Sequence, residues 1–479
     1  MIDTAAIRNK LMHLAVSGNL VEHDIEDGNA SELVEKISHE INGSSRREVA
    51  IDEIPYEIPE NWTWCRLSDI GSTNIGLTYH PEDVVIDGIP VLRSNNIKNN
   101  KLIFDDLIKV NCEIREKQYI GENDILICAR NGSKALVGKC AIYSGELGLT
   151  SFGAFMAVYR TQCFEYVYYY FQTKVFRRYF ENENNKQINQ VTQSILKDAI
   201  IPLPPIKEQK RIVEKINKVF ELLDVIDEMQ QQYSSDLEVL KSKIIDAGIQ
   251  GKLTQQLPED GTAEELLEQI RAKKDQMIKD GLIPKESKSQ KIIDEDKKFE
   301  TPKNWAYARV QDVATYITDY VANGSFATLK ANTTTYKEPN YAVFVRTLDL
   351  GAEFKNDLSY IDESSYEFLK KSKLFGGELI LPNIGASIGK AFIMPDLGMP
   401  MSLAPNSVMV KFENDIMNKY FYYVFQSSYG KGILMNIQGG AATPKFSKTD
   451  LRKMIVMIPP LAEQERIVNK IEEIFSLIK

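Results

Sequence analysis

A chain of 479 residues is longer than one hydrophobic core accommodates and predicts roughly two to four domains. Its 43% hydrophobic and 26% charged residues exclude a largely disordered chain, and no apolar run reaches the ~18 residues of a membrane span. The net charge of −9 argues against nonspecific coating of nucleic acid, so a DNA reader of this composition has to segregate its Lys and Arg onto one face. The opening Met1-Ile2-Asp3-Thr4 lacks the basic and apolar regions of a signal peptide, and a cytoplasmic location with no membrane partner is expected. The five cysteines (Cys65, Cys112, Cys128, Cys140, Cys163) show no C-x-x-C spacing and read as reduced, small apolar residues rather than zinc ligands or disulfides.

In chain order, residues 1–45 place Ile7, Leu11 and Leu14 at helical spacing, followed by Ser17-Gly18-Asn19-Leu20 and Asp27-Gly28-Asn29-Ala30. A charged linker at 42–49 leads to a globular stretch, residues 50–205, entered through Pro59-Glu60-Asn61-Trp62 and written as short β runs between Gly and Asn turns. Tyr168-Tyr169-Tyr170-Phe171-Gln172 predicts an aromatic helix whose Tyr stripe is core, with Lys174, Arg177 and Arg178 beside it as phosphate contacts or a solvated face.

Residues 206–282 form the central spacer. From 206 to 247 apolar or borderline residues recur in 4,3 steps: Ile212, Ile216, Val219, Leu223, Ile226, Gln230, Tyr233, Leu237, Leu240, Ile244, Ala247. Such a seam predicts a helix paired lengthwise with another helix, and at ~1.5 Å per residue a rod of roughly 60 Å. Gln230, its one strongly polar position, is expected to be a buried amide that fixes register.

A second linker, 283–298, precedes a second globular stretch, 299–458, entered through Pro302-Lys303-Asn304-Trp305. Gly377-Glu378-Leu379-Ile380-Leu381 and Tyr422-Tyr423-Val424-Phe425-Gln426 repeat features of the first stretch. Residues 459–479 start a second rod with seam Ile467, Ile471, Ile474, Ile478. Pro204-Pro205-Ile206-Lys207-Glu208-Gln209-Lys210-Arg211-Ile212-Val213 is echoed by Pro459-Pro460-Leu461-Ala462-Glu463-Gln464-Glu465-Arg466-Ile467-Val468, while Gly251-Lys252-Leu253 and Asp260-Gly261 match Gly18-Asn19-Leu20 and Asp27-Gly28 at a different offset. One copy of the rod is thus continuous and the other split between the termini. The predicted fold is α+β: two β-rich α/β globular domains separated by two long antiparallel coiled-coil helices, with circular pseudo-twofold symmetry.

Enzymatic constellations are thin, and the chain itself is expected to be non-catalytic and metal-free. The four histidines all precede residue 81, so the two halves share no His-based site. Gly385-Ala386-Ser387-Ile388-Gly389-Lys390-Ala391 is one residue short of a phosphate-binding loop and reads as a hairpin. Glu353-Phe354-Lys355 resembles a nuclease fragment without the spaced Asp. Polar loops are the better candidates, because Arg suits guanine and phosphate, and Asn or Gln suits adenine. In the first domain these are Arg93, Ser94, Asn95, Asn96, then Arg130, Asn131, Ser133, Lys134, then Lys186, Gln187, Asn189, Gln190; in the second, Arg346, Thr347, Asn383, Ser387, Lys390, Gln438, Thr443 and Lys445. The competing reading of each loop is that Asn and Gly simply make turns.

The doubled Pro-Pro-x-x-Glu-Gln-x-Arg-Ile-Val string, with the repeat around it, resembles the specificity (S) subunit of type I DNA restriction-modification systems over essentially the whole chain. The resemblance implies two target-recognition domains, each reading half of a bipartite double-stranded DNA site, with the helices as the ruler between them. It further implies two methyltransferase (M) subunits docked on the helices, binding S-adenosylmethionine and methylating a flipped adenine at N6, and restriction (R) subunits in systems that cleave. One departure is that the C-terminal rod stops in mid-seam at Lys479, where the central copy continues to Ala247; either the N-terminal helix completes it or the chain is shortened. The alternative is an acidic coiled-coil scaffold or DNA mimic that binds proteins only; tight, salt-sensitive duplex binding in the presence of M subunits excludes it. Proline at Val219 or Leu240 is expected to break the rod, at about 3 kcal/mol or more, and to abolish bipartite site choice; an unchanged methylation map refutes the ruler.

Overall fold

The computed structural model describes residues 1–43, 46–181, 190–285, 287–436 and 445–478. The chain divides into two compact units, Met1–Gln231 and Gln232–Lys479. The division falls inside the longest element, an unbroken helix of 44 residues, Ile206–Ile249, about 66 Å at the α-helical rise. The helix includes Gly248, where an added Cβ would stand 3.1 Å from Ile467 and Ile471. Beyond it the chain turns back, and a separate helix, Ala263–Lys279, follows.

In unit 1 a four-stranded sheet has the order Cys140–Ile142, Ile125–Cys128, Met156–Arg160, Ser72–Ile75. A five-stranded sheet has the order Val84–Val85, Ile108–Val110, Ile89–Leu92, Thr150–Phe152, Tyr119–Ile120, with one parallel pair, Ile89–Leu92 beside Thr150–Phe152. Because side chains alternate along a strand, Ile125 and Ile127 enter a core with the aromatic helix Phe164–Phe171 and with Ile212 and Ile216. Leu126 and Cys128 enter a second core with Leu92 and Phe152. A strand buried on both faces has to be apolar throughout, hence Ile-Leu-Ile-Cys without alternation. The Tyr stripe is core, as expected: Tyr166 and Tyr170 are buried and their hydroxyls donate to the carbonyls of Pro202 and Ile200 at 2.7 and 2.6 Å. Beside it, Arg177 is paired to Glu181.

Unit 2 repeats the order of both sheets; the short pair Ile97–Lys98 and Lys101–Leu102 of unit 1 has no counterpart among its described residues. Its four-stranded sheet runs Tyr316–Asp319, Ser407–Lys411, Leu379–Pro382, Phe392–Ile393, and its five-stranded sheet again holds one parallel pair, Ala342–Val345 beside Met401–Leu403. Leu379 and Leu381 face one core and Ile380 the other.

The repeated motifs of the sequence come together in space, once per unit. In unit 1 strand Thr63–Arg66 pairs antiparallel with Ile200–Leu203, bringing Trp62 beside the start of the long helix. There the fully buried Glu208 carboxylate accepts from Trp62 Nε1 at 3.0 Å and Asn61 Nδ2 at 3.2 Å, and lies 2.8 Å from His23 Nδ1. Gln209 Nε2 closes the Pro204 carbonyl at 2.8 Å, and Arg211 pairs with Asp27 at 2.6 Å. Gly18 has φ +75°, and a Cβ there would stand 2.4 Å from Pro59, so only glycine fits. Unit 2 reproduces this node. Glu463 accepts from Trp305 Nε1 at 2.9 Å and Gln256 Nε2 at 2.8 Å, Gln464 closes the Pro459 carbonyl, Arg466 pairs with Asp260, and Gly251 packs on Pro302.

The expected seam is covered at its ends and open in its middle. In unit 1 the helix Thr4–Val16 runs antiparallel to the long helix: Thr4 Oγ1 donates to Asp227 at 2.6 Å, and Arg8 pairs with Asp224 and Asp227. Ile212, Ile216 and Leu223 are buried, while Val219 and Ile226 are half-buried. In unit 2 the helix Leu461–Leu477 covers the other end, and the buried positions are Ile245 and Ile249 rather than the expected Ile244, which is half-buried. There Ile467 and Ile471 are buried, and Ile474 and Ile478 half-buried. Between the ends, Leu237 is half-buried, while Tyr233 and Leu240 are 55% and 43% exposed, because partner helices of 13 and 17 residues are too short to flank all 44. Gln230 is not a fully buried seam amide; it is half-buried and its side chain bonds the backbone of Ile2.

Other expectations resolve locally. Residues 385–391 sit in the hairpin between Leu379–Pro382 and Phe392–Ile393. Glu353 and Phe354 form a turn at positive φ, with Glu353 paired to Lys355. All five cysteines are free and four are buried; burial pushes the Cys140 thiol up to about 12 and Cys163 to about 11, which leaves them unreactive. Among the described residues no helix is long and apolar enough to cross a membrane.

Two outcomes follow from the nodes. Glu208→Ala leaves the buried Trp62 indole unpaired and is expected to cost about 3 kcal/mol, read as a lower denaturant midpoint for unit 1; Glu208→Gln, which keeps an acceptor, loses less. Hydrogen bonds from Arg211 and Arg466 hold the Asp27 and Asp260 carboxyls below their ordinary value of 3.8. A depressed folded-state pKa contributes stability that is complete above the unfolded value and is lost as pH falls through the folded one. Stability should therefore drop below about pH 4, and Asp27→Asn should flatten that drop in urea titrations at stepped pH.

Candidate nucleic-acid interface

Parallel pairing puts the C-terminal ends of Ile89–Leu92 and Thr150–Phe152 side by side, and three loops of unit 1 meet there. Gly153 N donates to Leu92 O at 2.9 Å, and the amides of Ala129 and Arg130 both donate to Phe155 O at 3.0 Å. Asn131 Nδ2 donates to Ser94 Oγ at 3.1 Å, tying the loop after Ile125–Cys128 to the loop after Ile89–Leu92. Arg130 also forms an isolated antiparallel bridge with Gln190. The structure thus brings the 93–96, 130–134 and 190 candidates to one place; Lys186, Gln187 and Asn189 lie outside the described residues.

Within this cluster the side chains divide by duty. Asn96 is buried, its Oδ1 accepts from Arg93 N at 2.9 Å, and its Nδ2 donates to the carbonyls of Ile103 and Asp106. Contrary to the expectation from sequence, its amide is consumed in shaping the loop. Arg93 and Asn95 both donate to the Asp106 carboxylate, at 3.1 and 2.6 Å. Asn131 caps its own turn by accepting from Ser133 N. Arg130, Ser133, Lys134 and Gln190 are exposed, and the Arg130 guanidinium lies 5.9 Å from the centre of the Phe155 ring, itself 63% exposed.

Unit 2 builds the same cluster with other side chains. Arg346 follows its strand as Arg93 does, and donates to both oxygens of Asp349 at 3.0 and 2.6 Å and to Asp357 O at 2.6 Å. Burial alone would raise the Asp349 carboxyl, yet hydrogen bonds from Arg346 and Asn356 outweigh it and keep it below the ordinary range. Arg346, expected to meet DNA, has a side chain 37% exposed, with its Nε and one Nη held by Asp349 and the Asp357 carbonyl. Thr347 Oγ1 lies 3.0 Å from Ser407 Oγ, and Asn383 donates from its backbone to Asn406 O and from its side chain to Phe446 O. Ile384 bridges Lys445 as Arg130 bridges Gln190. Lys390 and Lys445 are exposed and Ser387 half-exposed. Gln438 and Thr443 lie outside the described residues.

Two residues at these junctions carry no signal in a search for polar loops. Phe155 is an apolar residue in a turn, and Asn406, at φ +74°, reads as an ordinary turn asparagine. Both clusters hold hydrogen-bonding and cationic groups on rigid sheet ends, which is the chemistry that reads base edges and phosphates. Among the described residues no group of His, Cys, Asp and Glu is placed to hold a metal ion.

The domain described as the type I restriction modification DNA specificity domain matches the chain twice, over residues 59–232 and 302–479. The chain is 23% identical to the specificity subunit of type I restriction enzyme EcoAI of Escherichia coli, covering 98% of this chain and 88% of that protein. It is 24% identical to the EcoKI specificity subunit of Escherichia coli strain K12, covering 88% and 83%. A solved structure described as the structural basis underlying complex assembly and conformational transition of the type I R-M system shares its fold, with a TM-score of 0.58 at 16% identity over 88% of this chain and 92% of that one. With both matched stretches falling on the repeated units and covering most of its length, the chain belongs to the type I restriction-modification specificity family.

Proposed function

We propose that the chain is the non-catalytic, sequence-reading subunit of a type I restriction-modification complex. Each unit reads one half of a bipartite duplex site with the loop cluster at its parallel strand pair, and the unbroken Ile206–Ile249 helix sets the gap. The observation that carries this reading is the contrast within the repeat: the two sheets and the Glu–Trp, Gln–Pro and Arg–Asp pairs of the node recur, while the exposed side chains at the loop cluster differ. Two readers of different half-sites need that combination.

The partners proposed are duplex DNA and two methyltransferase subunits docked along the helices, with restriction subunits added where the complex cleaves. S-adenosylmethionine belongs to the methyltransferase in this reading, and the reacting adenine is flipped into that partner. The exposed apolar face of the long helix in unit 1, Leu222, Val225 and Met229, supports a protein partner there.

Co-expression with a methyltransferase partner, followed by mapping of N6-methyladenine across the host DNA, tests the proposal. One bipartite motif with a fixed gap is the expected result; a stable complex that leaves DNA unmethylated points to a protein-binding scaffold. Replacing residues 299–458 by the equivalent stretch of a relative should alter one half-site only, and a change in both halves would refute independent reading.

A further inference from the structure

The residue preceding the strand Met156–Arg160 in unit 1 is Phe155, and the residue preceding Ser407–Lys411 in unit 2 is Asn406. The two occupy the same point of the repeated fold. The Phe155 carbonyl accepts from the amides of Ala129 and Arg130, and the Asn406 carbonyl accepts from the amide of Asn383. Each backbone is therefore clamped to the neighbouring hairpin while its side chain stays in solvent: the Phe155 ring is 63% exposed and Asn406 is exposed. The exposed phenyl ring, on a pinned turn, belongs to none of the three core clusters of unit 1. The left-handed backbone of Asn406, φ +74°, suits Asn better than other side chains.

We propose that this shared turn position is a base-discriminating contact of each unit, with Phe155 and Asn406 reading opposite chemistries. Phe155, with the Arg130 guanidinium beside its ring, presents an apolar surface flanked by a cation. Its fit in the major groove is the thymine 5-methyl group, with Arg130 on an adjacent phosphate or guanine. Asn406 presents a donor and an acceptor on one short side chain, the pattern that matches adenine N7 and N6. The proposal rests on the half-site reading above and adds the residue that separates the two halves.

The full-length chain, co-expressed with its methyltransferase, is assayed by methylation mapping as wild type, Phe155→Ala, Phe155→Leu and Asn406→Ala. A bipartite motif for the wild type is the precondition, and its absence refutes the half-site reading itself. Given that motif, Phe155→Ala should lose about tenfold or more of its preference at one thymine-containing pair of one half-site, with the other half untouched. Phe155→Leu, still apolar, should keep most of it. Asn406→Ala should relax one adenine-containing pair in the other half-site. Motifs unchanged in both Ala variants, or degraded equally in both halves, overturn the proposal. The Phe155 side chain is exposed, so its variants should melt as the wild type does, and one that melts early yet keeps its motif counts against the proposal. At φ +74° Ala adds backbone strain and should lower the melting temperature of Asn406→Ala, so Asn406→Gly, which tolerates that backbone, is the control and should relax the same adenine-containing pair.

Discussion

The Glu208 carboxylate is fully buried at the first turn of the long helix, and it survives there because donors from distant segments converge on it: an indole, an amide and an imidazole nitrogen. Burying a carboxylate without partners is prohibitive, so the fold has to bring Asn61 and Trp62 to the helix start before that charge can be enclosed. The strand pair Thr63–Arg66 with Ile200–Leu203 does this, and the Pro204-Pro205 step stops the strand so that the helix begins beside the indole. Glu463 poses the same demand in unit 2 and is answered by Trp305 and Gln256. The helix N-terminus adds a favourable dipole in both cases. Each globular unit is thereby locked to its helix at a defined angle, and the loop cluster inherits that orientation.

A second layer of the same economy operates at the loops. Arg93 and Arg346 stand at equivalent positions, and each is held by a carboxylate of its own loop. Their guanidiniums stiffen the frame from which neighbouring side chains project. Charge held within the frame leaves the outward positions open to vary, since the side chains of Phe155, Lys134 and Lys445 are exposed and none belongs to a core cluster. Rigid support with unconstrained tips is the arrangement a reader of many possible targets requires.

Much of this was legible in the sequence because motif and repeat are one-dimensional. The Pro-x-Asn-Trp, Gly-x-Leu, Asp-Gly and Glu-Gln-x-Arg strings were each visible as duplicated features, and uninterrupted apolar runs marked the doubly buried strands. That they form one node was not visible, since nothing in Glu208 announces Trp62 as its partner 146 positions away. The 4,3 seam was read correctly as a helix-pairing signal but too generously in extent: periodicity states which face is apolar, not how much helix lies opposite, so Tyr233 and Leu240 were expected under cover. At the loops, residue type was a poor guide to duty. Asn96 is buried with its amide bonded within the loop, and Arg346 is half-exposed and held by Asp349, while the phenyl ring of Phe155, a type ordinarily assigned to a core, stands 63% exposed.

The chain holds three tryptophans, and two of them, Trp62 and Trp305, donate their indole N–H to the node carboxylates. The third, Trp64, is also buried in unit 1, and no tryptophan lies in either loop cluster. Tryptophan emission therefore reports the two nodes and the strand beside the first, and not the loop clusters. Occupation of the reading loops should pass unseen in it, whereas the red shift that marks a solvated indole signals that a globular unit has come loose from its helix. Unit 2 holds one tryptophan, Trp305, so in a chain carrying Trp62→Phe and Trp64→Phe the tryptophan signal is that of its node.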